Sequence, residues 1–135
     1  MIYITRRENF NAAHRLWNPK WSAERNAEIF GLCSSVHGHN WEMYVTVKGE
    51  VDEEYGYFMD LKELSQIIKK EISLKIDHTY LNENPFMMGR MPSTENVAKR
   101  AWEVLEPIIN ENYNATLHCI KVIETPNHYV EYFGE

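Results

Sequence analysis

The chain predicts an α+β fold with its elements in the order β-β-α-α-β-β, and three observations carry that reading. Two N-terminal and two C-terminal segments are rich in β-branched and aromatic residues, as strands are. Two central segments repeat apolar residues at spacings of three and four, as amphipathic helices do. No internal repeat or low-complexity stretch interrupts the alternation.

The first strand is expected over Ile2 to Leu16, which places His14 near its far end. Trp17 to Gly31, opened by Asn18-Pro19, reads as a loop carrying a short helix around Ser22-Ala-Glu-Arg-Asn-Ala-Glu-Ile. His37 and His39 stand at i and i+2, and such a pair points one way only on extended backbone. They mark the start of the second strand, continued by Trp41-Glu-Met-Tyr-Val-Thr-Val47. Lys48-Gly49-Glu and Glu54-Tyr-Gly56 mark a turn, and Asp60-Leu-Lys-Glu63 has the form of a capping box. The helix it opens carries a stripe of Leu61, Leu64, Ile68 and Ile72. A second helix is expected from Pro92-Ser93-Thr94, with Val97, Ala101, Val104, Leu105 and Ile108 as its apolar face and Pro107 weakening its last turn. Thr116 to Glu124 and Tyr129 to Phe133, joined across Thr-Pro-Asn-His, read as a hairpin.

Composition bounds the function. At 135 residues, one domain over residues 1–135 is expected, burying roughly two-thirds of its unfolded surface. Fourteen Lys and Arg against twenty Asp and Glu give a formal charge of −6, and no basic cluster suits a nucleic-acid backbone. The N-terminus has no apolar signal core and no stretch is long enough to span a bilayer, so a cytoplasmic protein that binds neither nucleic acid nor membrane is expected. Cys33 and Cys119 are then expected as free thiols.

The chemistry concentrates in Cys33-Ser-Ser-Val-His37-Gly-His39 and in His14. Antiparallel pairing of the first two strands would bring the three imidazoles together. A lone His-x-His is ordinarily polar strand surface, but a third histidine and a cysteine four residues upstream favour a metal. Three histidines leave a coordination position open, which suits a catalytic zinc better than a structural one. Cys33 as a fourth, structural ligand is the alternative.

Five separated motifs then occur in one order: Phe10-x-Ala-x-His14; Cys33 with His37-Gly-His39-Asn40; Asp77-His78-x-x-Leu81-Asn82; Pro92-x-Thr94-Glu95-Asn96; and Glu124-Thr125. This pattern resembles the pterin synthase family of 6-pyruvoyl- and 6-carboxytetrahydropterin synthases over nearly the whole chain. The resemblance implies a T-fold, a four-stranded antiparallel sheet with two helices on one face. It also implies a homohexamer of two trimers with active sites at subunit interfaces.

By the same resemblance, His14, His37 and His39 hold Zn2+, a Lewis acid for the hydroxylated side chain of 7,8-dihydroneopterin triphosphate. Cys33 matches the proton-abstracting cysteine, whose thiolate is the reactive form. Asp77 and His78 match an acid-base pair. Adjacent residues in a strand point apart, so that pair needs irregular backbone or a partner subunit. Glu124 matches the glutamate that anchors the pterin through its exocyclic amine and ring N–H. Thr94 and Glu95 would touch the ring, although simple helix capping explains Thr94 nearly as well. His118, His128 and Cys119 match no motif.

The Cys33-x3-His37 spacing resembles carboxytetrahydropterin synthases of the deazapurine (queuosine) pathway, which release acetaldehyde and triphosphate. On that spacing, this activity is the expected one. The segment Trp21 to Cys33 and the ending Tyr-Phe-Gly-Glu135 look more like the pyruvoyl branch, which leads to tetrahydrobiopterin. Two further readings remain: an inactive zinc-holding T-fold scaffold, and a hydrolase acting through a zinc-activated water.

Overall fold

In the computed structural model, which describes residues 1–135, four long strands and two helical runs appear where the sequence predicts them. Strands β1 (Ile2–His14) and β2 (His37–Gly49) pair antiparallel along their whole length, from Ile2 opposite Gly49 to His14 opposite His37. Strand β4 (Thr116–Thr125) pairs with β2, and β5 (His128–Tyr132) closes the hairpin with β4. The sheet is not four-stranded as expected. A two-residue strand β3 (Thr79–Tyr80) adds to the outer edge of β1 in parallel, giving the order β3-β1-β2-β4-β5. Two residues after a helix carry no periodicity, so this strand left no signal in the sequence.

Alternation along the strands decides which face is buried. Phe10, Ala12 and His14 of β1 and Trp41, Met43, Val45 and Val47 of β2 face the helices and are buried, while Arg7, Asn9 and Asn11 stay exposed. The loop after β1 carries the short helix α1 (Ala23–Phe30), capped by Ser22, whose hydroxyl accepts from the Arg25 N–H. Helix α2 (Leu61–Ile68) begins at Asp60, whose side chain accepts from the Lys62 N–H.

The run does not stay regular. A π-turn over Lys69–Ser73 joins α2 to the short α3 (Leu74–Ile76). Leu64, Ile68, Ile72 and Ile76 are all fully buried, each four residues from the last. In a regular α-helix a spacing of four drifts by about 40° per step, and the wider π-turn takes up that drift. Leu61, expected in the same stripe, lies in the first turn and is exposed.

Helix α4 (Thr94–Asn112) is capped by Ser93, whose hydroxyl accepts from the Asn96 N–H. It buries Val97, Ala98, Ala101, Leu105 and Ile109, whereas Val104 and Ile108 lie half-buried at its flank. The helix runs five residues past Pro107, whose side is exposed. One cluster of 23 buried residues joins both helical runs to one face of the sheet. No helix is long and apolar enough to cross a membrane.

Gly49 ends β2 where the Phe58 ring lies on its backbone, and a Cβ there would overlap that ring. Gly49→Ala is therefore expected to cost about 1–3 kcal/mol of stability by overpacking. Urea unfolding checks this, and an unchanged midpoint would mean that Phe58 moves freely.

Candidate active site

The β1–β2 register sets His14 opposite His37 and Ala12 opposite His39, so all three imidazoles share the helix-side face. Glu124 joins them from β4, on the same face as Val122 and Ile120 two and four residues earlier. One donor atom from each of His14, His37, His39 and Glu124 lies within 4.8 Å of the others.

Hydrogen bonds aim the rings. His14 Nδ1 donates to the Pro92 carbonyl at 2.8 Å, and His37 Nδ1 donates to the Ser35 carbonyl at 2.7 Å. A carbonyl only accepts, so each ring keeps its hydrogen on Nδ1 and offers a lone pair at Nε2. Burial holds the His14 and His39 pKa values below the ordinary imidazole range, so both rings are neutral at neutral pH.

Glu124 Oε1 lies 2.9 Å from His14 Nε2 and 3.0 Å from His39 Nε2. These distances suit ion pairs, yet both Nε2 atoms are buried without a hydrogen-bond partner. With the His14 hydrogen on Nδ1, the contact sets a lone pair against a carboxylate. A cation among these donors relieves that repulsion, so the group fits a divalent metal.

Burial alone would push the Glu124 carboxyl up. Positive charge at the His14 and His39 rings, whether a proton or a bound cation supplies it, together with hydrogen bonds from His128 and Thr94, outweighs it and holds the group below the usual carboxylate range. Those two bonds reach Oε2, from Thr94 Oγ1 at 3.2 Å and His128 Nε2 at 3.3 Å. His128 carried no motif, and only the hairpin geometry brings it to Glu124.

Cys33 sits in a 3₁₀ turn (Gly31–Ser34), exposed and free, and its carbonyl accepts from the Leu16 N–H. Cys119 is buried and also free. A cavity of about 340 Å³ is lined by Cys33, His14, His37, Thr94, Glu95 and Glu124. Cys33 is not among the converging metal donors.

Asp77 and His78 lie elsewhere, at the β3 edge of β1. Asp77 Oδ1 accepts from the Asn11 N–H at 2.8 Å, and the His78 N–H donates to the Asn11 carbonyl. Asp77 backbone is extended and His78 is left-handed, with φ of 60°. That break lets neighbouring side chains meet, Asp77 Oδ2 to His78 Nδ1 at 3.0 Å. Asp77 borders a cavity of about 810 Å³ with Arg7, Asn40, Glu42 and Glu124, and His78 a shallower one of about 490 Å³ with Asn11 and Gly38. Neither lines the Cys33 cavity.

The Asn11 N–H, and then the His78 ring, hold the Asp77 carboxyl below the usual range. A depressed folded pKa contributes stability that is present above the unfolded value and lost as pH falls through the folded one. Asp77→Asn should therefore destabilise the protein at neutral pH and match wild type in acid. The side chain is 37 % exposed, which keeps the difference below about 1 kcal/mol. Urea titrations at several pH values read it, and a gap that widened in acid would contradict it.

The family model for 6-pyruvoyl tetrahydropterin synthase matches residues 3–135. The 6-pyruvoyl tetrahydrobiopterin synthases of Dictyostelium discoideum and Homo sapiens are 39% and 36% identical to the chain. These matches cover 99% and 98% of it, and 97% and 91% of the relatives. A 6-carboxy-5,6,7,8-tetrahydropterin synthase of Rickettsia typhi is 24% identical over 97% of the chain and 99% of its own length. The Caenorhabditis elegans 6-pyruvoyl tetrahydropterin synthase structure superposes with a TM-score of 0.89 at 32% identity, covering 99% of this chain and 96% of that one. The fold is thus the T-fold of the pterin synthases, with the short β3 added at its edge. The chain belongs to the 6-pyruvoyl tetrahydropterin synthase family, whose members are lyases.

Proposed function

We propose that the protein is a zinc-dependent lyase that eliminates triphosphate from 7,8-dihydroneopterin triphosphate and, by moving hydrogen from the hydroxylated side chain into the dihydropterin ring so that no external oxidant or reductant is needed, yields 6-pyruvoyl-tetrahydropterin. The observation that carries this reading is the convergence of Cys33, Glu124, His14 and His37 on one cavity, with unpartnered imidazole nitrogens beside a free thiol. His14, His37 and His39 hold the zinc, which supplies Lewis acidity to the substrate hydroxyls.

Cys33 takes the proton from the hydroxylated side chain. Glu124 accepts from the exocyclic amine and ring N–H of the pterin, and Thr94 and Glu95 flank the ring. Asp77 orients His78, which passes protons at the side chain. Because that pair lies outside the Cys33 cavity of its own chain, it serves a neighbouring copy in a cytoplasmic homohexamer of two trimers.

Identities of 34–39% with pyruvoyl-named relatives, against 24% for the carboxy-named one, support the pyruvoyl product. A second reading, the 6-carboxytetrahydropterin synthase of the queuosine route, is supported by the short Cys33-x3-His37 spacing. Incubation of the zinc-loaded protein with the substrate, followed by mass spectrometry, decides between them. A 6-pyruvoyl product supports the first reading, and 6-carboxytetrahydropterin with acetaldehyde moves the assignment to the second. No conversion at full zinc occupancy leaves a scaffold, and triphosphate release with an unchanged pterin spectrum leaves a hydrolase.

A further inference from the structure

We propose that a separate cavity of about 460 Å³, lined by Arg15, Trp17, Lys20, Asn82, Arg90 and Pro92, is the seat of the substrate's triphosphate. This rests on the function proposed above. Charge is the first argument. The Cys33 cavity is lined by Glu95 and Glu124 with no Lys or Arg, and the 810 Å³ cavity sets Arg7 against Glu42, Asp77 and Glu124. The 490 Å³ cavity has neither sign. The 460 Å³ cavity gathers Arg15, Lys20 and Arg90 against one acid, Glu83, in a chain of net charge −6. A polyanion is favoured there and opposed in the other two charged cavities.

Adjacency is the second argument. Past the end of β1 the side chains alternate across one segment, with His14 and Leu16 lining the Cys33 cavity and Arg15 and Trp17 lining the basic one. On the facing wall Ser93 lines the first and Pro92 the second, and His14 Nδ1 bonds the Pro92 carbonyl at 2.8 Å. The partition between the two cavities is thus this single segment of chain, with residues 92 and 93 dividing the facing wall.

The cations are also held ready. Asn82 grips the Arg15 backbone on both sides, accepting from its N–H at 2.9 Å and donating to its carbonyl at 3.0 Å. The Arg15 guanidinium stacks 3.9 Å from the Trp17 ring centroid, and no carboxylate lies within ion-pair distance of it or of Lys20. Arg90 is steadied by Glu103 at 2.8 Å. A planar guanidinium with unused donors matches phosphate oxygens.

The test compares the zinc-loaded wild type with Lys20→Gln/Arg90→Gln and with Arg15→Gln. Calorimetry measures binding of inorganic triphosphate and of 7,8-dihydroneopterin, which has no phosphates. The Kd for inorganic triphosphate and the KM for the triphosphate substrate are expected to rise about tenfold per cation removed. Zinc content and dihydroneopterin affinity should not change. The double variant alters one exposed and one half-buried surface side chain and leaves the Asn82-held Arg15 untouched, so it remains informative if Arg15→Gln fails to fold. Unchanged triphosphate binding overturns the proposal, as does an equal loss of binding for both ligands. Triphosphate binding that weakens in the variants without any turnover supports the seat while removing the proposed reaction.

Discussion

Cys33→Ala is expected to keep its full zinc content and lose about 10²–10⁴-fold in kcat, the range a proton-transfer group contributes. The expectation follows from where the thiol sits. His14, His37 and His39 converge without it, and Cys33 stands outside that cluster on a separate turn while facing the same cavity. A thiol held as a structural ligand would be drawn in among the imidazoles and leave little exposed, whereas Cys33 is exposed. Zinc analysis of the purified variant beside a turnover assay separates the roles. Loss of zinc together with activity would make Cys33 a ligand, and unchanged turnover would remove it from the chemistry. Cys33→Ser is the sharper companion, because it keeps the shape and replaces the thiol with a hydroxyl that ionises far less readily.

The histidine cluster was legible because it depends only on strand period and antiparallel register, both of which act through neighbouring residues and one hairpin-like pairing. His37 and His39 at i and i+2 and His14 at a strand end suffice to put three rings on one face. Glu124 was legible only by resemblance. Its approach to the imidazoles needs β4 to pair with β2 some eighty residues away in sequence, which no local pattern reports. His128 follows from the same hairpin and had no signal of its own. The Asp-His dipeptide called for either irregular backbone or a partner subunit, because adjacent residues on a regular strand point apart, and the backbone at His78 is left-handed. The means was hidden: a π-turn and a two-residue parallel strand, both fixed by packing against β1 rather than by intrinsic propensity.

The separation of Asp77 and His78 from Cys33 leads to the second large effect. If each site takes Cys33 from one copy and Asp77–His78 from another, Cys33→Ala and His78→Ala are each inactive alone. Co-refolding them in equal amounts should then restore activity. A site works when its cysteine comes from the His78 variant and its histidine from the Cys33 variant, so random assembly leaves about a quarter of sites intact. In the structure of one chain, His78 borders the Gly38 side of β2, and Cys33 lies toward Thr94 and Glu95. The His78 backbone N–H is tied to the Asn11 carbonyl and its ring pairs with Asp77, and neither residue lines that cavity. Activity at the level of neither variant plus the other, near zero, would place the whole site within one chain. Activity near a quarter of wild type would require at least two copies for catalysis.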